Sequence, residues 1–263
     1  MGALVSAAGG EFNPPGAGSF NLPPLFGEGT FVTKPMVLVV LSAVIIAAFF
    51  LLATRKLSVV PGKFQFAAES VYDFGRNNIA REQIGSQDFR PFIPLILGLF
   101  TFVLVNNIFG IIPVVQFPTF SHIGFPLALS LLVVYPVYHI VGMRRHGVGG
   151  YLKNQLLPAG VPKPIYLLLT PIEFFQKFLM NPITLAIRVF AAMFAGHLIL
   201  MVFAMGGEYL LLEAGGVLKA GSAVAFAFAI VLTFVEALIQ VIQAYVFAVL
   251  SAGYIGAALA ADH

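Results

Sequence analysis

The chain contains no cysteine and no tryptophan, and only 10% of its 263 residues are charged. Without cysteine there is no disulfide framework, no thiolate metal site and no sulfur nucleophile, and the redox compartment leaves no mark. Without tryptophan, any aromatic belt at a membrane surface falls to the 8 tyrosines and 27 phenylalanines. The shortage of charge excludes most. Soluble domains carry about 25% charged and roughly 45–50% apolar residues, whereas here 59% are hydrophobic and the mean hydropathy is +0.96. A single core of this size cannot hide that much apolar surface from water. The formal charge of +3 comes from 14 Lys and Arg spread along the chain, which is no nucleic-acid-binding patch. Internal repeats and low-complexity tracts are lacking too. The composition specifies an integral membrane protein, and the long apolar runs below make the expected fold all-α.

A helix needs about 20 mostly apolar residues to cross the roughly 30 Å hydrocarbon layer. Five stretches qualify. Pro35–Ala53 and Pro91–Val115 carry no charge, and Ile123–Met143 holds one histidine. Pro171–Met205 holds Glu173, Lys177, Arg188 and His197, and Ala223–Ala260 holds only Glu236. The last two would reach about 52–57 Å as straight helices, so they must tilt strongly or break. The chain is thus expected to divide into a loosely structured tail over 1–34, a first span over 35–53, an interfacial segment over 55–90, a helical hairpin over 91–143, a loop over 144–170 and a long tilted hairpin over 171–263. The tail has no basic region ahead of an apolar one and is not a signal peptide. In 55–90, Phe64, Ala67, Ala68, Val71, Tyr72 and Phe74 recur at helical spacing opposite Lys63, Glu69, Asp73 and Arg76. That pattern predicts an amphipathic helix lying on the membrane surface.

Loop Lys and Arg set orientation. Six lie in 55–90 and four in 144–165, against Lys34 and Lys219 on the other side. The bias of ten to two predicts an outside, extracytoplasmic N-terminus and a cytoplasmic C-terminus.

Ionisable groups at membrane depth are costly and mark transport paths more often than structural ties. Arg188 is the sharpest case; His197, Glu236, Gln240 and Gln243 follow, and Asn106 and Asn107 read first as caps or interhelical glue. If the last two helices form an antiparallel hairpin, residues at one depth share an index sum. Arg188 with Gln243 and His197 with Glu236 give nearly the same sum, and half of it falls on Gly216 in the Gly215–Gly216 pair. Arg188 then sits level with a neutral amide, about 10 Å along the axis from Glu236 and about 22 Å from Glu173. A guanidinium cannot release its proton, so its carboxylate partner must come from another polypeptide. Nine residues turn a helix by two and a half turns, which places Arg188 and His197 on opposite faces. Glu236, Gln240 and Gln243 share one face at i, i+4 and i+7. A His and a Glu can pass protons, and a fixed cation between two access routes blocks leakage.

The run from Asn181 to His197 (NPITLAIRVFAAMFAGH) and the run from Leu238 to Phe247 (LIQVIQAYVF) resemble subunit a of the F-type ATP synthase. Asn107 to Pro113 (NIFGIIP) and Arg145-His146-Gly147 support the likeness, which covers nearly the whole chain from the first span. The resemblance implies that Arg188 is the stator arginine facing a c-ring carboxylate, that Gln243 lies opposite it, and that Asn107 is near the outer access route. It implies that His197 and Glu236 are the exchangeable ionisable pair, in the reverse of the order some relatives have; Gln240 is placed on the proton path by the helix face that it shares with Glu236 and Gln243. It also implies the c-ring and the subunit b stalk as partners and the bacterial plasma membrane as location. No cofactor or metal is expected, and no Gly-x-x-x-x-Gly-Lys run offers a nucleotide site. Two departures stand out: Ala191-Ala192 replaces a usual Gly-Asn, and Gly110 replaces an acid found in some members. The rival readings are a self-contained ion-coupled secondary transporter, opposed by the absence of repeated halves, and a structural scaffold.

Overall fold

In hydrocarbon every backbone polar group must find its partner inside the protein, which leaves helices as the simplest solution for a single chain. The computed structural model describes residues 12, 14–20, 32–55, 57–112, 115–157, 165–213 and 215–260, and among them every regular element is helical. Five helices are long and apolar enough to cross a membrane. A short 3-10 turn, Ala17–Phe20, precedes them. Helix α1 is Lys34–Thr54, with Pro35 in its first turn, where a missing N–H is harmless. Helix α2 begins as Lys63–Asp73 and continues through a π-helical stretch, Phe74–Arg81, and a final turn, Glu82–Ile84. Helix α3 is Ile93–Ile108, α4 is Gly124–Leu156, α5 is Tyr166–Leu212, and α6 is Gly221–Leu259.

Helices α5 and α6 form a long antiparallel hairpin turning through Gly216, whose φ of +60° needs a glycine. Small residues let the two backbones approach. A methyl on Gly207 would lie 3.2 Å from the Phe226 ring, and Gly196 faces the Glu236 side chain. The main core gathers Ile96, Leu99 and Val103 of α3, Val134 and Tyr138 of α4, Leu185, Val189 and Met193 of α5, and Ala244, Phe247 and Ile255 of α6. A second, smaller core sits towards the hairpin turn. There Phe20, Leu38, Phe109 and Phe117 pack with Phe194, Leu198 and Met201.

Four segments depart from the sequence-based expectations, each for a local reason. The second span was expected to reach Val115, but its helix ends at Ile108; Phe109 and Phe117 instead turn inwards, and Gln116 takes a φ of +44°. An apolar run reads alike whether it crosses a membrane or caps a core. The 144–170 segment was expected as a loop, yet α4 continues to Leu156, breaking only at Gly147 with a φ of +72°. Arg, Lys and Gln are good helix formers that a hydropathy profile overlooks. Beyond Gly147 the chain folds back, so that Tyr151 packs on Gly142 and its hydroxyl meets His139 Nδ1 at 2.7 Å. The amphipathic stripe of α2 lies only partly on open surface. Phe64 and Phe66 are exposed, but Ala68, Gly75, Ile79 and Ala80 are buried against the body of the protein, with Gly75 touching Leu97. The tail expected over 1–34 falls largely outside the described residues, but its Phe20 is buried in the second core.

Candidate functional site

Helix α6 crosses the core with three polar residues on one face. Glu236 and Gln240 are buried, while Gln243 is half-buried with its Oε1 enclosed. Across the hairpin His197 is buried on α5, and its Nδ1 lies 3.7 Å from Glu236 Oε1. That is too long for a direct hydrogen bond and short enough for one rotamer adjustment or one bridging water. The chain of contacts continues along α6 and then across to α3. Gln240 Nε2 donates to Glu236 Oε1 at 3.3 Å, and Asn107 Nδ2 donates to the Gln240 carbonyl at 3.3 Å. Asn106 donates to Ser42 Oγ at 2.8 Å and so fastens α1 to α3 beside this row.

The row is poor in partners. His197 Nδ1, Glu236 Oε2, Gln240 Oε1, Asn107 Oδ1 and Asn106 Oδ1 are buried without a hydrogen bond from the described protein groups. Each such atom costs about 1–3 kcal/mol if left dry. A file of unsatisfied donors and acceptors is therefore a place where the fold holds polar capacity in reserve. Thr119 Oγ1, buried nearby in sequence to the Phe117 cap, is a further such atom.

Arg188 stands apart from this row. It is exposed on α5 in a strip with Thr184, Ile187, Ala191 and Ala195, while His197 is buried on the opposite face. Among the described residues three ion pairs occur, and none includes Arg188. Tyr254 of α6 lies within its electrostatic reach. The level pairing expected with Gln243 is not a hydrogen bond, since Gln243 Oε1 has no partner. A long side chain in a helix leans towards the helix N-terminus, which carries the guanidinium away from the level of Gln243 and towards Tyr254. Ile187 beside Arg188 is 45% exposed, and Val241 and Ile242, at the same level of α6 in the hairpin register, are 46% and 45% exposed, so the open surface at this depth is apolar.

The two sequence departures have structural contexts. At Gly110 a Cβ would come 3.0 Å from Pro118 and 3.3 Å from the Gln240 amide, so the space an acid would need is already filled. Ala191 lies in the exposed strip of Arg188, and Ala192 packs on the main core. Sequence reasoning missed Ser42, Thr119 and Tyr254. A lone serine in an uncharged span was the one readable signal. Among the described residues, no cluster of three or more His, Asp or Glu is arranged to hold a metal ion.

Residues 36–256 match the family described as ATP synthase A chain. The chain is 46% identical over 262 residues to the ATP synthase subunit a of Pseudarthrobacter chlorophenolicus, covering 99% of this chain and 98% of that one. It is 44% identical to the Nocardioides protein of the same description, over 98% and 97% of the two chains. Identity to the Rhodococcus erythropolis counterpart is 38%, over 99% and 95%.

Proposed function

The chain belongs to the ATP synthase A chain family and is a multi-pass, proton-translocating membrane subunit of the rotary ATP synthase, not an enzyme by itself; from that premise we propose roles for its polar residues. Arg188 is the stator arginine that meets the carboxylate of each passing c-ring subunit. His197, Glu236, Gln240 and Asn107 form the outer proton path, and Gln243 lines the way from that path to the arginine. The N-terminus lies outside and the C-terminus in the cytoplasm, in a bacterial plasma membrane. The c-ring and the subunit b stalk are its neighbours.

The observation that carries this reading is the exposed Arg188 on an apolar face without a carboxylate among the described residues. A guanidinium in hydrocarbon needs a counter-charge, and since no ion pair among the described residues supplies one, its source on this reading is a second polypeptide. A carboxylic acid arriving protonated is electrically neutral and can travel through lipid. When it reaches Arg188, the cation stabilises the ionised form and lowers the acid's proton affinity. The proton leaves towards one access route, and the emptied carboxylate is reloaded from the other. Because Arg188 stays charged throughout, no proton passes straight between the two routes.

On the outer side, Glu236 can take a proton from His197 across their 3.7 Å gap and pass it along the row of amides and the water they hold. A self-contained transporter gains no support, since Arg188 has no counter-ion among the described residues. The test is ATP-driven proton pumping by the reconstituted enzyme with Glu236→Gln. Loss of pumping with ATP hydrolysis retained supports the path; wild-type pumping removes Glu236 from it.

A further inference from the structure

The turn Ala17–Phe20 places one aromatic ring against the proposed relay. Phe20 is 3% exposed, its centroid 6.0 Å from the His197 ring at an interplanar angle of 60°, and 4.8 Å from Phe194. Leu38, Phe109 and Phe117 complete its seat. The backbone is held as well as the ring. His122 Nε2 lies 3.1 Å from the Phe20 carbonyl oxygen, and because a carbonyl only accepts, that nitrogen carries the hydrogen. His122 is itself packed on Phe117, at 5.7 Å between centroids. Lys34 ties down the same cap by donating to the Val115 carbonyl at 2.6 Å. A second point of contact lies further along α5, where Phe12 packs on Tyr209 at 5.4 Å.

We propose that Phe20 is a positioning residue for proton transfer, holding the His197 imidazole towards Glu236, and that His122 acts through Phe20 by fixing its carbonyl. The inference rests on reading His197 and Glu236 as a proton relay. A phenyl edge against an imidazole restricts rotation of the smaller ring and offers it no hydrogen bond. It also keeps water off that side of the histidine. The imidazole is left with Glu236 as its carboxylate partner, and protons reach the pair from the amide-lined side. The titratable or charged groups facing His197 are Glu236 on α6 and, beyond the Phe20 ring, His122 ahead of α4 and Lys34 on α1.

The test uses the intact ATP synthase in sealed liposomes, reading the rate of ATP-driven proton pumping and its pH profile. Phe20→Ala is expected to lower pumping by about threefold or more and to move the midpoint of the profile by about half a pH unit or more, since the solvation of the histidine changes. Phe20→Tyr, which restores an aromatic edge, recovers most of the rate. His122→Leu follows Phe20→Ala, whereas His122→Gln keeps most of the rate because an amide can donate to the same carbonyl. Wild-type rate and midpoint in Phe20→Ala would overturn the inference. If Phe20→Ala fails to assemble, the two His122 variants decide, and equal behaviour of the Leu and Gln forms overturns it. Glu236→Gln is measured alongside. Pumping that survives this change defeats the relay itself, while pumping lost there with Phe20→Ala silent leaves the relay and removes only the role of Phe20.

Discussion

At the scale of single residues, the proposed roles separate groups that can pass protons from the one group that cannot. Arg188→Ala is expected to abolish coupled ATP synthesis and to open a passive proton leak, because the fixed charge between the two routes is gone. Arg188→Lys fails as well, by roughly tenfold or more, since an ammonium is a shorter point charge that sheds its proton when desolvated. Synthesis rates in reconstituted vesicles measure both; normal rates in the alanine form would return Arg188 to a structural role. The His197–Glu236 pair calls for a mutant cycle. Glu236→Leu strands an imidazole without its acceptor and should be severe, whereas a change at His197 should be milder where water replaces the ring. The exchanged double variant, His197→Glu with Glu236→His, is expected to pump better than the two single losses predict. Strict additivity would mean that the residues do not act as a pair. The closeness of His197 to Glu236 is legible in the sequence, because an antiparallel hairpin ties depth to one index sum and an ionisable residue in an apolar run advertises itself. Arg188's lean away from Gln243 is not legible, since it depends on where a flexible side chain finds room. Phe20's place is not legible either: aromatic residues in a Gly- and Pro-rich stretch carry no period that names a distant seat.

At the scale of elements, the close approach of α6 to α2 decides where the last helix lies. A methyl on Gly256 would run into the backbone carbonyl of Gln83, which cannot rotate away. Overpacking of this kind costs about 1–3 kcal/mol, so Gly256→Ala should lower the thermal stability of the purified complex or the amount that assembles. Gly253→Ala is the control. Its added methyl meets only the Gln83 side-chain oxygen, at 3.7 Å, and should be close to neutral. Equal effects at the two positions would show that backbone contact is not the cause. The approach explains why α2 is not a plain surface helix. Its first turns show open apolar residues, while its later turns, from Gly75 to Ile84, are partners of α3 and α6. Amphipathic spacing announces a buried side without saying whether lipid or protein covers it. The fold-back at Gly147 escapes sequence reading for a related reason. Glycine permits a positive φ but does not demand one, and here the demand comes from Tyr151 reaching His139.

At the scale of the whole molecule, charge divides the two ends. Eight of the described Lys and Arg, from Arg55 to Arg90 and from Arg144 to Lys153, lie at or beyond the helix ends away from the hairpin turn. Arg145 and Asp88 link two of these segments at 3.7 Å, but both are well exposed, so the pair contributes little to stability and mainly shows that the segments share a side. The hairpin turn carries Lys219 alone among basic residues, and the start of α1 carries Lys34. Charge of this distribution is retained on the cytoplasmic side during insertion, and the proposed orientation therefore has the turn of the hairpin, the second core and the Phe20 seat outside. The absence of cysteine makes this directly measurable, because any introduced thiol is the only one in the subunit. Lys219 and Lys153 are both exposed and belong to opposite ends. A membrane-impermeant maleimide added to whole cells should label Lys219→Cys, and should label Lys153→Cys only after the membrane is opened. The reverse pattern would invert the orientation, and with it the side from which protons reach His197; the internal geometry of the relay would stand, but the half of the path it serves would change.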